Sequence, residues 1–248
     1  HTILISNDYH ATYSGMTPGF ILKNFSQKEI DIDLQRLCFN AGATFIRDEV
    51  VNIDTAKNQI DLLNHPSINY NILSLNTGSI SKKQNIHISK SSNSISVKPI
   101  GNLIKQLDKI DTIISKENKA QVSIIGGGIA AYELSFSLRQ RYSNQIGIRI
   151  VGENNLVEPN INSATANKLK DIANNMQINI QEGKVIKINK NNIILADNQE
   201  IQSDLNLLST GAEIASWIKK SKLQTNKSNF VAVNKYLQSE NYRNIFVT

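Results

Sequence analysis

An α/β fold built from two similar units is what this sequence predicts, and three observations carry it. An apolar run from Val122 to Ile125 breaks into Gly126-Gly127-Gly128 and then into a helical pattern. Two stretches far apart in the chain, 44–79 and 178–213, share one layout of apolar and polar residues. Each is preceded by a helical stretch and, before that, by a short apolar run of the kind that forms parallel strands. Each unit is therefore expected to hold a parallel sheet plus a small antiparallel meander.

The repeat is one of pattern rather than identity. Both copies open on a short strand and continue with an alternating one, Val50-Val51-Asn52-Ile53 in the first and Val185-Ile186-Lys187-Ile188 in the second. A polar turn, "DTAKN" or "NKNN", leads into a second alternating strand, Ile60-Asp61-Leu62 or Ile193-Ile194-Leu195. Each copy ends in an apolar strand that runs into Thr-Gly, at Thr77-Gly78 and at Thr210-Gly211. Upstream of the first copy, Ser26-Gln27-Lys28-Glu29 has the form of a capping box, with Phe25 and Ile30 placed as a hydrophobic staple. Ile30, Leu34, Leu37, Cys38 and Ala41 then mark one face of a helix that Gly42 would stop. Ala164 to Met176 is the counterpart helix in the second copy, and "TILIS" at 2–6 and "GIRIV" at 147–151 are the counterpart strands. In the second copy the glycine loop precedes all of this; in the first it is absent. On this alignment the first copy lacks an opening strand, glycine loop and helix, roughly 25–35 residues by the usual length of such a unit. The chain is expected to be a piece of a longer protein, truncated at both ends.

The glycine loop reads Gly126-x-Gly128-x-x-Ala131. In a strand–loop–helix context, Gly126 allows the tight turn, Gly128 lets backbone approach a pyrophosphate, and Ala131 lets helix and strand pack closely, with Gly127 a further cofactor-binding candidate in the same loop. Ala130, Leu134 and Leu138 share a face of the following helix. A phosphate there would sit on the free N–H groups of the helix start, where the dipole is positive. Glu153 stands just beyond the next strand, where an acid accepts from a ribose 2′-hydroxyl. It reads equally as a solvated loop acid. No arginine follows it directly, which favours NADH over NADPH.

Composition narrows the classes. The formal charge is +6, but the lysines are scattered rather than set in a basic stripe with interleaved aromatics, so no nucleic-acid partner is expected. No apolar run approaches the roughly 20 residues of a membrane span. A single cysteine, Cys38, leaves no dithiol pair, and the four histidines show no ligand spacing, so no metal is expected. The expected location is cytoplasmic, peripheral to the membrane in the intact protein.

"GGGIAAYE" at Gly126–Glu133, the two Thr-Gly strand ends and "YSGMTPGF" at 13–20 together resemble the FAD/NAD(P)H pyridine-nucleotide oxidoreductase family. Within it the chain is similar to type II NADH dehydrogenases and to the flavoprotein module found fused to selenophosphate synthetase, whose "YSGMxPG" and "VKP" stretches match Tyr13–Gly19 and Val97-Lys98-Pro99. The resemblance covers essentially the whole chain. It implies two Rossmann-like dinucleotide-binding units: a partial FAD domain of residues 1–97 and 214–248, interrupted by an NAD(P)H domain of residues 98–213. It implies that the Tyr13–Gly19 loop, with Tyr13 and Pro18, approaches the flavin. Ser6 or Asp8 would stand where an acid meets the adenosine ribose, Ser6 being a departure from that pattern. Thr77-Gly78 and Thr210-Gly211 would be crossings between domains near the cofactors, and Glu133 the catalytic residue near the contact of nicotinamide and flavin. The residues also allow plainer readings: Pro18-Gly19 as a turn, Glu133 as an acid suited to a helix N-terminal turn. The family's redox CxxxxC pair has no counterpart here.

The resemblance implies hydride transfer from NAD(P)H to FAD, then electron transfer to an acceptor, with the cofactors carrying the chemistry. A quinone acceptor suits the dehydrogenase resemblance. A selenium-linked acceptor suits the fusion, as does a fused or associated selenophosphate synthetase domain. A homodimer is a further expectation. The alternative is a nucleotide-binding or interaction module without turnover.

Overall fold

The structure is a computed structural model that describes residues 1–82, 85–116, 119–153 and 161–248. The chain forms two compact units. Unit 1 comprises His1–Thr12, Asp31–Ile80 and Ala212–Thr248; unit 2 comprises Tyr13–Ile30 and Ser81–Gly211.

Unit 2 is built on a five-stranded sheet in the order Ser94–Ser96, Leu205–Leu208, Ala120–Ile125, Ile146–Gly152, Ile178–Glu182. Every neighbouring pair is parallel. Its strands read as near-continuous apolar runs because helices cover a parallel sheet on its faces. Val122, Ile124, Ile150 and Leu207 are at most 1% exposed and share one core with Ile110 and Leu138. Burying each such side chain contributes about 1.5–3 kcal/mol. A second sheet in this unit, in the order His87–Ile88, Val185–Ile188, Asn192–Leu195, Glu200–Gln202, includes the expected antiparallel meander.

Unit 1 holds a parallel pair, Ile3–Ser6 with Thr44–Arg47, and a second parallel pair, Leu73–Leu75 with Ile245–Val247. Its meander is Val50–Asp54, Gln59–Leu62 and Ile68–Asn69. Ile53, Ile60, Leu62 and Ile245 anchor its core. The α/β class with parallel sheets and meanders is thus the one the sequence predicts.

The repeat extends to detail. The five strands of 44–79 have five counterparts in 178–213, in the same order. Both meanders carry a register shift at the same step, between Val50 and Asn52 in one and between Val185 and Lys187 in the other. The bulge keeps Ile53 and Ile188 buried, at 3% and 0% exposure, by restoring the inward phase after one extra residue.

Two details differ from the sequence reading. The helix expected from Ser26 to Ala41 is interrupted. A short helix, Gln27–Ile30, gives way to a strand, Asp31–Asp33, paired antiparallel with His10–Thr12, and a second helix runs Leu34–Asn40. The Ser26–Glu29 capping box starts the first helix, with Glu29 accepting from the Ser26 N–H and hydroxyl; two acceptors then account for the break, Asp31 accepting from the distant Thr12 hydroxyl and Asp33 capping the new helix by accepting from Arg36 N at 2.9 Å. The buried stripe then holds Leu34 and Cys38, while Leu37 is 48% exposed. The compact units also divide the chain differently from the expected 1–97, 98–213 and 214–248. Ser94–Ser96 is an edge strand of the unit 2 sheet, and residues 13–30 pack into unit 2, where Ile21 joins the core at 1% exposure. Arg141 fastens that segment: it donates to Ile21 O at 2.6 Å and pairs with both Asp111 oxygens at 2.9 and 2.6 Å.

Candidate dinucleotide site

The strand Ala120–Ile125 delivers Gly126 into a narrow gap at the carboxyl end of the parallel sheet. Gly126 N donates to Val151 O at 2.7 Å on one side, and Ser209 N donates to Ile125 O at 2.8 Å on the other. Gly126 adopts φ +129°, and a Cβ there would lie 2.0 Å from Ser209 O and 2.6 Å from Ser209 C. Both obstacles are backbone, so only glycine serves. Gly127 and Gly128 are partly exposed. Gly128 is the N-cap of the helix Ile129–Tyr142, has an extended backbone and provides no side-chain cap. Its carbonyl accepts from Ala131 N at 2.9 Å. The first N–H groups of a 14-residue helix therefore have no side-chain cap of their own, the arrangement that suits an anion. Ala131 is fully buried, as close helix–strand packing requires.

Thr210-Gly211 is brought beside this loop, because Ser209 forms the wall of the Gly126 gap. Thr210 is 8% exposed; its hydroxyl donates to Lys82 O at 2.9 Å, and Lys82 N donates to Gly211 O at 3.2 Å. Gly211 has φ +89°, in the region that favours glycine. Glu153 follows the strand Ile146–Gly152 directly and is exposed. Its carboxylate lies 3.8 Å from Lys184 Nζ. Glu133 is the fifth residue of the helix Ile129–Tyr142, past its first turn, with an exposed side chain. The dipole reading of Glu133 thus loses its geometric basis. Tyr13 is 59% exposed, and Tyr13 N donates to Ile30 O at 2.8 Å. Pro18 sits in the first turn of the helix Thr17–Ile21, where its missing N–H costs nothing. Beside it, Thr17 is 5% exposed with a hydroxyl that has no hydrogen-bond partner among the described residues.

In unit 1, Ser6 ends its strand opposite Arg47, and Ser6 Oγ accepts from Asp8 N at 3.2 Å. Asp48 N donates to Ser6 O, as Gly183 N donates to Gly152 O in unit 2. By that equivalence the position of Glu153 corresponds to Asn7, between the two candidates. Thr77 and Gly78 are exposed, with Gly78 at φ +66°.

A dinucleotide diphosphate fits unit 2: the Gly126–Gly128 loop leaves no side chain in its way, and the helix start supplies donors. Unit 1 has no counterpart of the strand–glycine loop–helix among its described residues, so those residues do not by themselves fit an FAD diphosphate. Sequence reasoning missed Lys82, Arg141, Lys184 and Ser209. None carries a local signal, since each enters through a partner distant in the chain. Among the described residues, no helix is long and apolar enough to cross a membrane.

A family model described as pyridine nucleotide-disulphide oxidoreductase matches residues 2–248. No curated protein matches by sequence. Among solved structures, reduced Bacillus anthracis CoADR-RHD is similar with TM-score 0.82 at 19% identity, over 99% of this chain and 45% of that one. The sulfide:quinone oxidoreductase of Aquifex aeolicus is similar with TM-score 0.74 at 17% identity, over 99% and 61%. NDH2 from Plasmodium falciparum, in complex with NADH, is similar with TM-score 0.79 at 19% identity, over 99% and 58%. The chain spans about half the length of the structures it matches.

Proposed function

The chain belongs to the pyridine nucleotide-disulphide oxidoreductase family, and from that premise we propose that it is the dinucleotide-handling part of an FAD-dependent NAD(P)H oxidoreductase of the NADH dehydrogenase-like kind. In this reading unit 2 holds NAD(P)H, with NADH preferred. Gly126, Gly127 and Gly128 admit the diphosphate, and Glu153 takes the ribose hydroxyl. Bound flavin would accept hydride from the nicotinamide and pass electrons to an acceptor. Glu133 and the Tyr13–Pro18 loop are proposed to line the reacting end, and Thr210-Gly211 to border it. Ser6, Asp8, Thr77 and Gly78 are proposed flavin-side positions in unit 1.

The observation that carries this reading is the Gly126 gap. A loop that touches backbone on both sides and leads into a helix start with no side-chain cap supports a diphosphate there. The test is calorimetric titration of NADH into the chain and into Gly128→Val. A side chain at Gly128 collides with the diphosphate, so affinity should fall at least tenfold. Equal affinity would make the loop a structural turn only.

One observation favours a second reading for the chain as it stands. Unit 1 lacks a diphosphate cradle among its described residues, so the chain is proposed to bind FAD weakly and to turn over little. Titration with FAD, read by flavin absorbance, tests it; stoichiometric tight flavin would overturn it.

A further inference from the structure

Glu153 and Lys184 come from different strands and meet through the register of the sheet. Gly152 pairs with Glu182, and Gly183 N donates to Gly152 O at 2.9 Å. The next residue on each side, Glu153 and Lys184, is therefore set at the carboxyl edge of the sheet, which also holds Gly126 through Val151 O. Lys184 is anchored by its backbone, whose carbonyl accepts from Ala196 N at 2.8 Å. Its ammonium stands 3.8 Å from the Glu153 carboxylate, beyond hydrogen-bond contact, and the two side chains are 56% and 49% exposed. An exposed pair of this kind adds little to stability, so a ligand displaces it at small cost.

We propose that Lys184 is a specificity-determining residue, the half of this charge pair that receives the 2′-phosphate of NADPH, while Glu153 receives the 2′-hydroxyl of NADH. The inference rests on the nucleotide reading of unit 2 and deepens it. A 2′-phosphate carries nearly two negative charges at neutral pH, and Glu153 alone would repel it. Lys184, on a flexible four-carbon stem, supplies an opposing point charge at the same place. The pair thus lowers discrimination. The acid alone would exclude NADPH; acid and lysine together accept both nucleotides with NADH ahead.

The experiment is titration of NADH and of NADPH into the chain, into Lys184→Gln, into Glu153→Gln and into Gly128→Val. Lys184→Gln should weaken NADPH about tenfold and leave NADH within about twofold. Glu153→Gln should strengthen NADPH several-fold and weaken NADH. The NADPH difference should shrink as salt rises. An unchanged NADPH to NADH ratio in Lys184→Gln, with Gly128→Val still damaging both, overturns the Lys184 role and leaves the site standing. Failure of the unaltered chain to bind either nucleotide overturns both.

Discussion

Units 1 and 2 solve the same folding problem with different fillings. Their meanders share strand order and bulge position, and the helices ahead of them are capped alike: Asp33 accepts from Arg36 N at 2.9 Å, Asn162 from Thr165 N at 2.8 Å. They part company at the sheet. In unit 2 the strand Ala120–Ile125 joins Leu205–Leu208 to Ile146–Gly152. In unit 1 the two corresponding parallel pairs are separate sheets. They differ again where the strand after the helix meets the meander. Unit 2 has Gly183 there; unit 1 has Asp48, a 3% exposed carboxylate. It accepts from Glu49 N, Asn64 N, Asn64 Nδ2 and His65 N, and pairs with His65 Nδ1 at 2.6 Å. The comparison teaches that alternation of apolar residues carries the repeat, while polar side chains adapt each copy to its own loops.

The comparison breaks most sharply at Gly126. Gly126→Val should destabilise unit 2 by about 2–4 kcal/mol, from backbone strain plus overlap with Ser209. Unit 1 should be unaffected. Hydrogen exchange resolved by segment checks this, and equal loosening of both units would mean that they do not fold as separate bodies.

Arg141 tests which unit owns residues 13–30. Arg141→Gln removes the contacts to Ile21 O and Asp111 and should cost about 2–3 kcal/mol, felt first by the helix Thr17–Ile21. Faster exchange at Leu22, Lys23 and Asn24 amides, with the five-stranded sheet still protected, is the expected pattern. Unchanged exchange there would show that burial of Ile21 alone holds the segment.

Asp48 sharpens the contrast with Gly183. Burial pushes the Asp48 carboxyl upward, but hydrogen bonds from His65, Glu49 and Asn64 outweigh it and hold the pKa well below the ordinary value. A folded-state pKa depressed in this way contributes stability above the unfolded value of about 4, lost as pH falls below it. Asp48→Asn should therefore lower the melting temperature at neutral pH by several degrees and flatten the acid limb below about pH 4. Melts from pH 2 to 7 read this directly; parallel curves for the two proteins would remove Asp48 from the acid response.

The smallest effect exchanges helix ends. After the two capped helices the chain turns through positive φ at Gly42, +62°, in unit 1 and at Gln177, +55°, in unit 2. Gln177→Gly should stabilise unit 2 by about 0.5–1 kcal/mol, since the bond that the Arg139 guanidinium donates to Gln177 O is kept. Gly42→Gln should cost unit 1 a similar amount. Thermal melts of both variants give the signs, and two effects of the same sign would contradict the argument.

Much was legible from short stretches. The glycine loop, both Thr-Gly strand ends, the meanders and the helix stop at Gly42 each follow from residues within a few positions of one another. Periodicity and backbone restriction act at that range, so these elements are read without knowing their neighbours. The helix from Ser26 to Ala41 was misread because its break depends on Thr12 and on pairing with His10–Thr12, which periodicity does not register.

By itself, then, the sequence determined the α/β class, the duplicated plan and the position of the glycine loop between strand and helix, since each rests on local pattern. Only the tertiary structure decided that residues 13–30 belong with unit 2, that Ser209 closes on Gly126 and that Lys184 stands against Glu153. Those contacts join segments brought together by sheet register and burial. Register between parallel strands is set by the packing of the whole core, and no window of sequence contains both partners.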